Sequence, residues 1–142
     1  MRDKEQTHTF DQAIAELAGR QHGVAGRWQL RDLGIPEASI DRRVAAGRLH
    51  RLHRGVFAVG HQVVSVKGKW MGAVLVSGPG AVLSHSTAAG LWQIRDLQSG
   101  PIHVTTAKKW RSSHAICRHR SILKPDEIEA IWAYVLTGGQ TK

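Results

Sequence analysis

The side chains with the most chemistry in this sequence are cationic and crowded together. Arg48, His50, Arg51, His53 and Arg54 fall within seven consecutive positions, shortly after Ser39, Arg42 and Arg43. Arginine forks onto phosphate oxygens and onto guanine O6 and N7, and serine donates to or accepts from several base edges. That pattern suits a nucleic acid better than a metal or a reaction centre. His50 and His53 share one side of a helix at i, i+3 spacing but point to opposite faces of a strand, and their region reads as strand. No nearby carboxylate completes a zinc set. Ser84 and His85 are adjacent and no acid lies close enough in sequence to orient the imidazole, so Ser84 reads as a helix cap and His85 as a structural hydrogen-bonding residue. A magnesium-dependent nuclease needs paired carboxylates. Residues 42–124 offer only Asp96, while Asp126, Glu127 and Glu129 belong to the first turn of a helix, where the dipole favours them. No catalytic residue, metal or other cofactor is expected, and the chain is read as non-enzymatic.

The charge is unevenly distributed. The chain has 142 residues and a formal net charge of +9. Residues 42–124 hold 14 Lys and Arg against one acid, residues 1–41 hold five against seven, and the remainder holds one Lys against three acids. A long strip so depleted in acids is the footprint of a polyanion binder, because each cation placed on a phosphate releases a condensed counterion. Lys108, Lys109, Trp110 and Arg111 form a second basic cluster, in which the indole either stacks on a base or packs against protein. No apolar run, residues 73–76 included, approaches the ~20 residues that span a bilayer. The first residues lack the apolar core of a secretory signal, and the single cysteine, Cys117, has no internal disulfide partner. The expected location is the cytoplasm.

Positioning these side chains requires a scaffold, and the spacing of apolar residues supplies one. Thr9 with Gln12 forms a capping-box pattern, and Phe10, Ala13, Ile14, Leu17 and Ala18 then recur at helical spacing until Gly23. A second helix is expected over residues 27–33 and a third over residues 37–46, joined by Gly34-Ile35-Pro36 and closed by Gly47 in the left-handed conformation. Ile40 and Val44 mark the core side of the third helix, and Ser39, Arg42, Arg43 and Ala46 are assigned to a different face. Two short β-prone runs flank Arg54-Gly55 and read as a hairpin. Three helices followed by a basic hairpin is the order of a winged helix-turn-helix. Beyond Gly60 the pattern continues with a helix carrying Val66, Trp70, Ala73, Val74 and Ser77. A second helix is capped by Ser84 and carries Ala88, Leu91 and Trp92; strands follow over residues 102–105 and 115–119, and a last helix spans residues 126–136 with Ile128, Ile131, Trp132 and Val135 inward. The fold class is α+β, with a winged helix over residues 8–61, a small α+β unit over residues 62–136 and a frayed tail over residues 137–142.

Several of these segments carry a resemblance. Gly23-Val24, Gln29-Leu30, Gly47-Arg48-Leu49, the run His53-Arg54-Gly55-Val56-Phe57-Ala58-Val59, and Leu83-Ser84-His85 with Ala88-Ala89 resemble the N-terminal part of AbiEi-type antitoxins of bacterial type IV toxin–antitoxin systems. Similar N-terminal parts also occur fused to endonuclease domains like that of very-short-patch repair. The likeness covers about residues 10–124. It departs after Arg118-His119-Arg120-Ser121, where the family continues with a Gly-Leu-Pro-Val-Thr run and a further helical or nuclease region, so a truncated member without nuclease activity is expected. The resemblance implies a winged helix that binds double-stranded DNA and regulates transcription, often of its own operon.

In a winged helix the second helix of the helix-turn-helix pair enters the major groove. Ser39, Arg42 and Arg43 are therefore the expected base contacts. Glu37 and Asp41 on the same helix disfavour dense phosphate contact, although an acid accepts from cytosine N4. Arg48, His50, Arg51, His53 and Arg54 are the expected wing contacts to the DNA backbone, with Arg27 and Gln29 as further anchors at the start of the second helix. The alternatives are a module that binds a toxin or nuclease partner through its basic surface, and a non-catalytic remnant of a winged-helix endonuclease. A homodimer is admitted, but no dimer helix is visible.

Overall fold

The fold was taken from a computed structural model, which describes residues 2–94, 96, 100–106 and 116–120. The expected basic loop at Lys108, Lys109, Trp110 and Arg111, the helix over residues 126–136 and the tail over residues 137–142 lie outside the described residues. The chain divides into two units, Met1–Val76 and Ser77–Lys142.

The first unit opens with helix α1, Arg2–Arg20. It begins earlier than the capping-box pattern suggests, because the Thr9 hydroxyl does not cap. Its Oγ1 donates to the Glu5 carbonyl at 2.9 Å, a bond within a continuing helix. Strand β1, Val24–Gly26, was not expected from its three residues. It leads into α2, Arg27–Asp32, and α3, Glu37–Ala45. The connector behaves as its residues dictate: Gly34 has φ +80, and Ile35 N–H reaches back to the Leu30 carbonyl at 3.1 Å. Gly47 closes α3 in the same way, with φ +68 and Arg48 N–H on the Arg43 carbonyl at 2.9 Å.

Strands β2, Leu49–His53, and β3, Val56–Val59, form the hairpin, with Gly55 at φ +71 in its turn. The sheet order is β1-β3-β2, all antiparallel, so β3 is central. Ile14, Ala25, Leu30, Ile35, Ile40, Leu49 and Phe57 form one buried cluster on the side of α1, α2 and α3. These elements in this order are a winged helix-turn-helix.

The other face of the same sheet is also covered. Helix α4, Val66–Ser77, places Leu75, Met71 and Val76 against Val24, Val56 and Leu52. A division after residue 61 would strip that face, and the observed boundary instead follows Val76. Ser65 caps α4, its Oγ accepting from Gly68 N–H at 3.1 Å. Two glycines one turn apart allow the helix to approach closely. A Cβ on Gly68 would stand 2.8 Å from the His22 carbonyl oxygen, and one on Gly72 would stand 2.7 Å from Leu52 Cδ2.

In the second unit, β4, Val82–Leu83, pairs antiparallel with β5, Ile102–Thr106, which pairs in parallel with β6, Ile116–Arg120. Helix α5, His85–Leu91, has Ser84 at its N-cap position as expected, but the Ser84 hydroxyl makes no capping hydrogen bond and lies 3.0 Å from His85 Nδ1. Buried Thr87 holds it to the sheet by accepting from His103 N–H at 2.9 Å. Trp92 was expected in the core but is 64% exposed, because it sits at the C-cap of α5 beyond the last full turn.

The two glycines of α4 are separable by mutation. Alanine is favoured over glycine in a helix by about 1 kcal/mol, whereas overpacking costs about 1–3 kcal/mol. Gly68→Ala meets a backbone oxygen that cannot turn aside, so we expect a net loss of about 1–2 kcal/mol in denaturant unfolding. Gly72→Ala meets the end of a leucine side chain, and its stability is expected to stay within about 1 kcal/mol of the parent.

Candidate nucleic-acid interface

Helix α3 is amphipathic in a way that divides the three expected base contacts. Ile40 and Val44 face the core, and Arg43, three residues after Ile40, falls on the same side. Its side chain is 8% exposed, and its Nε donates to Asp11 Oδ1 of α1 at 2.8 Å. Its Nη1 donates to the Ser39 carbonyl at 3.1 Å and its Nη2 to the Thr7 carbonyl at 3.3 Å. Arg43 therefore ties α3 to α1 and does not face outward, contrary to expectation. Ser39 is buried as well, with its Oγ accepting from Arg42 Nη2 at 3.1 Å. Of the three, only Arg42 lies on the exposed stripe, which also carries Glu37, Ala38, Asp41 and Ala45.

The start of α2 is likewise occupied from within. Gln29 Oε1 accepts from Gly26 N–H at 3.0 Å, and the Gln29 and Gln21 amides bond each other at 2.7 and 2.9 Å. This glutamine caps its own helix and is not offered to a phosphate. Arg27 bridges α2 and α3: its Nη1 donates to Glu37, its Nη2 donates to Asp41 Oδ1 at 3.1 Å, and its guanidinium carbon lies 5.3 Å from the Phe57 ring centre. Partial burial opposes the charge on Arg27, but the hydrogen bonds to Glu37 and Asp41 outweigh it and raise the pKa. Arg31 adds a second cation to Glu37 at 3.4 Å.

The hairpin presents its cations unequally. Arg48 Nη1 donates to Asp11 Oδ2 at 2.9 Å, so one carboxylate serves both Arg43 and Arg48. His50 is opposite Ala58 and half-buried on the face that α4 covers. The register shifts between Arg51 and His53. This bulge breaks the strict alternation that would set His53 opposite His50, and a Cβ on Gly72 of α4 would lie 3.5 Å from the half-buried His53 ring. Arg51 and Arg54 are exposed and make no ion pair with any described residue. Together with Arg27, Leu52, His53, Gly55 and Phe57 they line a cleft of about 450 Å³ beside the hairpin turn. That turn is docked on α2 through Arg27 N–H and the Gly55 carbonyl, 2.7 Å apart.

The winged helix thus presents one outward arginine on α3 and two on its wing. Residues 12–60 match the family described as transcriptional regulator, AbiEi antitoxin. The AbiEi-like segment thus spans the C-terminal part of α1, the helix-turn-helix and the whole wing, and ends at the glycine that follows β3. No curated protein matches the chain.

Two features of the AbiEi-like segment escape a reading of composition. Trp28 is 41% exposed on α2, although five tryptophans in the chain invite assignment to the core. Asp11 is the hub of two arginines, and its phase, three residues before buried Ile14 on α1, was the available signal. Among the described residues no helix is long and apolar enough to cross a membrane, and no group of three potential ligands could hold a metal ion.

The different positions of the two neighbouring arginines predict opposite phenotypes. Asp11→Ala leaves the buried Arg43 charge without its carboxylate and should cost about 2 kcal/mol of stability. Arg42→Ala removes an exposed side chain and should change stability by less than about 0.5 kcal/mol. Equal melting temperatures for the two variants would contradict the assignment.

Proposed function

We propose that the winged helix binds double-stranded DNA, with Arg42 of α3 reading a base edge and Arg51 and Arg54 of the wing seated on the phosphate backbone. The observation that carries this reading is the coincidence, within the AbiEi-like segment, of the winged helix-turn-helix order with exposed cations on α3 and on the hairpin tip that make no ion pair with any described residue. Phosphate contacts from the wing fix orientation, and the α3 contact supplies sequence information. On this reading the chain regulates transcription of its own operon as the antitoxin-like component of a type IV toxin–antitoxin system. It carries out no catalytic step and needs no cofactor. Its protein partners would be a toxin or a second copy of the chain, and its place the cytoplasm.

Binding to a labelled duplex from upstream of its own gene, against a scrambled duplex, tests the reading across roughly 50 to 250 mM salt. Selective binding with a log–log salt slope of several units is expected. Replacing Arg51 and Arg54 together by alanine should lower that slope by about 1.8, at ~0.9 per phosphate released. Arg42→Ala should reduce the ratio of upstream to scrambled affinity by roughly five- to a hundredfold, the worth of one bidentate base contact. Failure of the parent protein to bind either duplex at about 50 mM salt would remove the DNA function altogether.

A further inference from the structure

We infer that Asp41 is a second base-reading residue, whose outer carboxylate oxygen accepts from the N4 amino group of a cytosine, and that Arg27 is the positioning residue that holds it for this contact. Asp41 acquires this role only within the DNA-reading function proposed above. Four observations converge on it. Asp41 lies on the exposed stripe of α3, where Ala38 and Ala45 stand one turn to either side with only methyl groups and Glu37, one turn before it, is held by Arg27. Its side chain remains 61% exposed although it is paired. The pairing uses Oδ1 alone, and no described residue donates to Oδ2. The donor is itself immobilised, because Arg27 also holds Glu37 and lies over the Phe57 ring.

An aspartate on an open helix surface samples several rotamers, and ordering it costs free energy at the moment of contact. Here that ordering is already done by a guanidinium anchored on α2. The remaining oxygen is an acceptor only. Facing a phosphate it would be repelled, so it is compatible with an approach that brings a base donor to it. In the major groove the amino groups are cytosine N4 and adenine N6, and adenine places its N7 acceptor beside the donor. A carboxylate is repelled by N7, so cytosine is the base it selects. The same charge works against binding to a wrong sequence, where it meets no donor and stays desolvated and unpaired.

The test is selection from a library of duplexes with a randomised central segment, using the full chain and reading base frequencies and affinities. The parent protein should enrich a motif with a cytosine at a fixed position. Asp41→Asn should lose the preference for cytosine over adenine there by about tenfold and shift toward adenine, since an amide bonds N6 and N7 together. Its affinity for a scrambled duplex should not fall, because a carboxylate facing phosphates has been removed. Arg27→Lys should weaken the same preference at the same position while leaving the other positions unchanged. If the parent selects a motif and Asp41→Asn selects the same base at every position, the inference is overturned while the DNA function stands. A uniform loss of affinity in Arg27→Lys with the preference intact would overturn the positioning role. A parent protein that enriches no motif defeats both the inference and the function on which it depends.

Discussion

Strand β3 is buried on both faces, and the arrangement of the first unit follows from that constraint. Val56, Phe57 and Ala58 are all about 1% exposed, which a strand in a one-sided hairpin cannot achieve. Phe57 enters the cluster formed with α1, α2 and α3, while Val56 enters the cluster formed with α4. Each face therefore needs its own cover. The helix-turn-helix supplies one, and α4 supplies the other with glycines where its backbone must come near. Because β3 is also hydrogen-bonded on both edges, by β1 and β2, its position fixes the wing relative to α2 and α3. The polar interface is thus assembled on an apolar frame that leaves it little freedom.

Against this frame, a set of ion pairs determines which cations face outward. Asp11 draws Arg43 and Arg48 toward α1, and Glu37 and Asp41 draw Arg27 across the helix-turn-helix. Arg42, Arg51 and Arg54 are outside these networks, and they are the side chains the DNA-binding reading uses. Burial explains part of this sorting. Arg43 shares the phase of Ile40 on α3, and a guanidinium placed there must find a carboxylate and carbonyls or cost several kcal/mol.

Much of the scaffold was legible in the sequence because its signals are local. Gly34, Gly47 and Gly55 mark left-handed positions, Pro36 marks a helix start, and the apolar spacing marks the three helices. The features missed depend on distant partners or compete with a second local option. Val24–Gly26 is too short to show alternation and becomes a strand only by pairing with β3. Thr9 can cap a helix or bond back within one, and the longer α1 selects the second. The continuous apolar run at residues 56–59 did signal two-sided burial, which would have assigned α4 to the first unit. Two adjacent arginines look alike in composition, and only helical phase separates Arg42 from Arg43.

The internal ion pairs bear on how the proposed DNA reader would discriminate. Four arginines of the first unit, Arg27, Arg31, Arg43 and Arg48, already have carboxylate partners. The formal charge therefore overstates the attraction this unit exerts on an arbitrary stretch of duplex. A reader with a weak hold on random sequence dwells briefly at each wrong site, and the many competing sites on a chromosome then sequester less of it. On the DNA-binding reading proposed above, pairing its own cations would leave more of the protein free to search for its target sequence.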